Sequence, residues 1–125
     1  MLSGVSVSGT SSPLVQIGSG SVSSSGYLSY ATITDSSSAQ TSSTAGFIIF
    51  SNTAAANIYG TMILTLISGN TWLASGSVSM GITVIRTSTF GGNNVLSGTL
   101  DRVRITTVNG TDTFDAGSIN IMYEG

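Results

Sequence analysis

The sequence predicts an all-β protein, a single antiparallel β-sandwich or jelly-roll-like domain spanning residues 1–125. Three observations predict it. Apolar and β-branched residues alternate with Ser and Thr along much of the chain, the two-residue period of a strand with one covered face. Clusters of Gly, Asn and Ser punctuate those runs at short intervals, as turns between strands do. No window of helical length keeps a 3.6-residue period with capping signals, and the good helix formers are scarce, with Lys absent and Glu and Gln nearly so. A chain of 125 residues is long enough for one core, because single domains commonly run to about 100–150 residues. Seven or eight short strands with Gly-rich turns fit a sandwich.

The elements follow in order. Leu2 to Val7 and Leu14 to Ile17 read as short strands. Ser19 to Gly26 is Ser-rich and reads as a surface loop, as does Thr34 to Thr44, with the strand Tyr27 to Thr34 between them. Gly46 to Ser51 is a further short strand, and Ala54 to Ala56 has room for one turn at most. From Tyr59 onward, Thr61, Ile63, Thr65 and Ile67 point one way and Met62, Leu64 and Leu66 the other. The turn cluster Ser68-Gly69-Asn70 then sends Thr71 to Val84 back as the second arm of a hairpin. A second hairpin is expected at the C-terminal end. Val103 and Ile105 alternate with Arg102 and Arg104 in Leu100 to Val108, Asn109-Gly110 suits a type I′ turn, and Thr111 to Tyr123 returns with Ile119, Ile121 and Tyr123 on one face. The Arg face is the wet one.

Composition excludes several function classes. There is no His, no Cys and no Lys, and the three cations, Arg86, Arg102 and Arg104, stand against five carboxylates for a net charge of −2. Enzymes need positioned titratable groups, so a non-enzymatic protein without a cofactor is expected. Three arginines cannot neutralise a phosphate track, so nucleic acid is not an expected partner. Without Cys there is no disulfide framework. The longest apolar runs, Ala45 to Phe50 and Met62 to Ile67, fall far short of the roughly 20 residues that span a bilayer, and the N-terminus lacks the charged start of a signal peptide. A soluble chain without membrane insertion is expected. Because Met62 to Ile67 is apolar on both faces, one of those faces should be buried against another subunit.

The candidate ligand-binding residues are Tyr27, Tyr30, Trp72, Asn93 and Asn94. Trp72 sits just past a turn, where its face suits stacking on a sugar ring, although large aromatics more often plug a core. Tyr27 and Tyr30 follow the first Ser-rich loop, and with Asn93 and Asn94 from a loop at Gly91 to Asn94 they suit a glycan surface; strand-edge tyrosines are more often structural. Asp112 and Asp115 are the nearest approach to a glycosidase pair, which needs two carboxyls about 5–10 Å apart. Turn capping explains both better, and no catalytic residue is assigned. No metal site is assigned either, since the oxygens on offer are scattered carboxylates and hydroxyls. Asn109-Gly110-Thr111 matches a glycosylation sequon that the turn already explains, and Gly18-Ser19-Gly20 reads as a turn.

From Leu14 onward the chain resembles the C-terminal domains of tail-fibre, or receptor-binding, proteins of tailed phages and prophages. Leu14-Val15-Gln16-Ile17-Gly18, Ser25-Gly26-Tyr27, Gly69-Asn70-Thr71-Trp72, Leu96 to Arg104 and Gly110 to Ile121 carry the resemblance. It implies a homotrimeric β-domain of the virion, an extracellular particle whose proteins are made in the host cytoplasm without a signal peptide. The implied partners are further copies of itself, other virion proteins, and a glycan or protein of the host surface. A capsid decoration or head-fibre protein is the alternative. Such domains begin with a strand or two before the segment matching Met1 to Ser8, so residues 1–8 are expected to be an edge strand or one exchanged between chains.

Overall fold

A computed structural model describes residues 1–81, 83 and 85–124. Among them the chain forms strands β1 (Leu2–Val7), β2 (Pro13–Ser19), β3 (Ser21–Val22), β4 (Leu28–Thr34), β5 (Ser38–Ser43), β6 (Phe47–Ile48), β7 (Asn57–Ser68), β8 (Thr71–Gly81), β9 (Arg86–Val95), β10 (Arg102–Thr107) and β11 (Phe114–Ile119), and no helix. A seven-stranded sheet in the order β11-β1-β7-β8-β9-β4-β5 packs on a four-stranded one in which β2 lies between β10 on one side and β3 and β6 on the other. Every pairing is antiparallel. The fold is the expected β-sandwich.

Alternation explains which faces meet. Ile58 on β7, Ala74, Val78 and Met80 on β8, Phe90 on β9 and Ala31 and Ile33 on β4 all point inward, where they are buried against Leu14, Val15 and Ile17 of β2 and Phe47 and Ile48 of β6. Removing such apolar surface from water drives the two sheets together. The Tyr27 ring meets Phe47 edge-on with centroids 4.9 Å apart at the centre of this core. The intervening residues Tyr59, Thr61, Ile63, Ser75, Ser77 and Thr89 form the outer, exposed face.

Several expectations need correction. Thr34 to Thr44 is no loop: Asp35 accepts from the Ser37 amide (2.8 Å) to make a tight turn, and β5 returns along β4 from Ser38 to Ser43. An edge strand with solvent on its outer side needs no apolar alternation, which hid it among serines. Gly91 to Asn94 is no loop either but the second half of β9, in register with β8 from Thr71↔Val95 to Met80↔Arg86. The expected strand at Gly46 to Ser51 shrinks to Phe47–Ile48. The return strand expected from Thr71 to Val84 ends at Gly81, and Ile82 and Val84 lie outside the described residues.

The second hairpin is also wrong. β10 pairs with β2 in the small sheet, whereas β11 pairs with β1 in the large one, so Asn109-Gly110 is a crossing between sheets. Gly110 alone has positive φ there (69°), and its amide donates to the Thr107 carbonyl at 3.0 Å. A type I′ turn needs positive φ at both central residues. Instead the Asn109 side chain accepts from the Thr111 and Asp112 amides at 3.0 and 2.9 Å, an Asx arrangement that redirects the chain out of the ladder.

Candidate functional site

At one end of the sandwich an open groove of about 500 Å³ runs between two walls. Ser19, Ser21, Ser23, Ser25 and Gly26, from the connection that carries β3, form one wall, and Asn94, Val95, Leu96 and Ser97, from the end of β9, form the other. No ionisable side chain lines it. The serine wall is pinned from below by Tyr27, which is wholly buried. Its hydroxyl accepts from the Ile17 amide at 2.8 Å and reaches the Ser23 carbonyl at 3.0 Å, while the Ser23 amide donates to the Ile17 carbonyl at 3.0 Å. At the other end of that wall the Gly20 amide donates to both carboxylate oxygens of Asp101 (3.2 and 3.0 Å).

Asn94 is the unusual member. It is only 3% exposed, and among the described residues its Nδ2 has no hydrogen-bond partner. Gly26 packs so closely over it that a Cβ at Gly26 would stand 3.3 Å from Asn94 Oδ1. Buried amides are nearly always paired, since leaving one unpaired costs about 1–3 kcal/mol. The Asn94 Nδ2 lies out of reach of solvent, so Asn94 backs the groove wall, and the serine hydroxyls are what the groove offers a ligand.

The sequence candidates divide over three places. Tyr27 is a correction: it is inside the core, so it shapes the groove and does not touch what enters it. Trp72 stands opposite Asn94 in the β8–β9 ladder on the inward face and is half-buried against the core, which is the plug reading. Tyr30 and Asn93 are on the opposite, outer face, where Leu28 stands opposite Asn93 and Tyr30 opposite Gly91. There they join Leu28, Ile63, Leu73 and Val95, exposed by 67, 61, 36 and 66% respectively, in an apolar band. Thus only Asn94 lies in the groove. The serine wall and Leu96 were missed as site residues, although Phe90 and Leu96, six apart, already place the even positions of β9 on one face.

The carboxylates hold loops. Asp112 accepts from the Ser11 amide (3.0 Å), and Asp115 accepts from the Ser6 hydroxyl, so each ties the C-terminal segment to the start of the chain. Asp101 is gripped by the Arg102 guanidinium (2.7 and 3.0 Å) and by the Gly20 amide, which hold its carboxyl down at about 2. Arg86 lies 2.9 Å from Asp35 and donates to Asn52 and Thr53 at 3.1 and 2.9 Å, joining three connections. Among the described residues no three His, Cys, Asp or Glu side chains gather as a metal would need, and no helix is long and apolar enough to cross a membrane. No protein-family model, curated protein or solved structure matches the chain.

Proposed function

We propose that the chain is a structural protein of a bacteriophage virion, a non-enzymatic tail-fibre or receptor-binding domain that attaches to neutral glycan on the host bacterial surface. The observation that carries this reading is a groove walled by serine hydroxyls and lined by no charged side chain. Sugar hydroxyls are neutral donors and acceptors, and such a wall matches them without having to strip an ion of water. The groove is open and shallow, so single-site affinity is weak. Several copies on one particle would compensate through effective concentration, as in a multivalent fibre tip. The sequence resemblance to tail-fibre domains supports the same reading.

A capsid-decoration or head-fibre role is the second reading, favoured by the apolar band of Leu28, Ile63, Leu73 and Val95, which suits a protein contact better than a sugar. Adsorption separates the two. Purified protein should coat cells of a susceptible strain and inhibit adsorption of the phage in proportion to coverage, without releasing reducing ends from the surface polysaccharide. Protein that leaves adsorption untouched and raises the temperature at which capsids survive would establish decoration instead.

A further inference from the structure

β9 carries two adjacent glycines in mid-sheet, and the molecule itself explains only one of them. Gly92 is crowded by the β4 backbone, where a Cβ would stand 2.8 Å from Ser29 Cα. Gly91, on the outer face, is not crowded. Beyond its own chain neighbours, the one atom that a Cβ there would approach within 4 Å is the Ala74 carbonyl oxygen, at an ordinary 3.5 Å, and its φ is not positive. Its cross-strand neighbours Tyr30 and Ser75 leave the space above it open. A glycine inside a strand gives up packing and chain entropy, and where neither φ nor crowding demands it, it marks a place that another molecule approaches closely. Around this socket stand the exposed Leu28, Tyr30, Ile63, Leu73 and Val95. No outward-pointing residue of β7, β8, β9, β4 or β5 is charged.

We propose that two copies of this chain pack face to face through this outer surface, with Val95 of each seated in the Gly91 socket of the other. The register supplies the fit. Leu73, Asn93 and Leu28 stand side by side in one cross-strand row, and on β9 Gly91 lies one row to one side of it and Val95 one row to the other. A two-fold axis along that row lays the second β9 reversed over the first, so each Val95 comes down over the other copy's Gly91. On the axis each of Leu73 and Leu28 meets its own copy, and the two Asn93 amides exchange hydrogen bonds, Nδ2–H donating to Oδ1 each way. Two sheets so placed have aligned strands about 10 Å apart, the arrangement of a sandwich core, in which facing side chains interdigitate. The size also fits. At about 4.8 Å per strand and 3.3 Å per residue the five strands cover about 700 Å², near the roughly 800 Å² that each side of a stable interface buries. A face without charge sets no like charges against each other when it meets its copy, and interface centres are depleted of charge. The resemblance to tail fibres implies three-fold assembly, whereas this face fits a two-fold one, and the contact is independent of the glycan reading of the groove.

Sedimentation equilibrium on the whole chain tests this. Wild type should be a dimer at micromolar concentration and, with no ion pair in the contact, should not dissociate as salt rises. Gly91→Val fills the socket where the monomer has room for it. The variant should therefore melt no lower than wild type at concentrations where both are monomers, yet dimerise roughly 30-fold or more weakly, as loss of a hot spot does. A merely sticky surface would do the reverse, since the added valine makes it more apolar. Gly91→Val with Val95→Gly exchanges knob and hole and should restore the dimer, while Leu28→Ser with Leu73→Ser should weaken it from the axis. A monomeric wild type would overturn the proposal and leave the socket to another partner, and a trimeric one would overturn the two-fold. So would a Gly91→Val protein that dimerises as well as wild type or better, a folded exchange variant that stays monomeric, or a dimer indifferent to the loss of both leucines.

Discussion

Single side chains in this protein matter through the polar atoms they bury. Ser88 is wholly buried between Ile33 and Val78, and among the described residues its hydroxyl has no partner. An unpaired buried hydroxyl costs about 1–3 kcal/mol, so Ser88→Ala should raise the melting temperature in thermal unfolding. Tyr27 is the opposite case. Tyr27→Phe keeps the packing on Phe47 but strands the Ile17 amide, and chemical denaturation should show a loss of about 1–3 kcal/mol. Asp101 gives a pH signature. The Arg102 guanidinium first, and the Gly20 amide second, lower its carboxyl from the ordinary 3.8 to about 2. A lowered folded value means that the contact is fully present above pH 3.8 and is lost as pH falls through about 2. The Gly20 amide resonance should therefore titrate near the lower value, and Asp101→Asn should abolish that titration.

At the scale of strands, legibility followed the covered face. β7, β8 and β10 were readable because one side of each meets the core and carries an apolar period, and β2 because it is a short apolar run buried on both faces. β5 and the second half of β9 were not, for opposite reasons: β5 has an outer edge that asks for nothing but polar residues, and Gly91-Gly92-Asn93-Asn94 has turn composition while lying mid-sheet. Gly92 is there because β4 approaches too closely for a side chain, with a Cβ standing 2.8 Å from Ser29 Cα. Asn94 was legible as a candidate, but its burial was not, since that depends on Gly26 arriving from 68 residues earlier in the chain. The β10–β11 connection failed because Asn-Gly specifies a reversal and not the sheet in which the next strand lies. Gly117 ties β11 to β1: its φ is 85°, and a Cβ there would collide with the Gly4 backbone and Val5 amide. Gly117→Ala should destabilise by about 1–3 kcal/mol, with hydrogen exchange rising first along β1 and β11.

At the scale of the whole molecule, charge-poor composition and rigid strands leave binding to placement. The sandwich holds the groove at one end and the apolar band on the outer face, two separate surfaces of one frame. The sequence offers few groups for acid–base chemistry and many hydroxyls and amides, but it scattered the candidates, because alternation on β4 and β9 sends Tyr30 and Asn93 to one face and Asn94 to the other. The most direct measurement is binding of the purified protein to a panel of bacterial surface polysaccharides, comparing wild type with Ser21→Ala and Ser25→Ala together, which removes two exposed hydroxyls from the groove wall. Wild type should bind at least one neutral polysaccharide, and the double serine variant should lose that binding by roughly tenfold or more, about the 1.4 kcal/mol of one hydrogen bond, with no fall in melting temperature. Wild-type protein that binds none of them, or a variant that binds as tightly as wild type, would contradict the account.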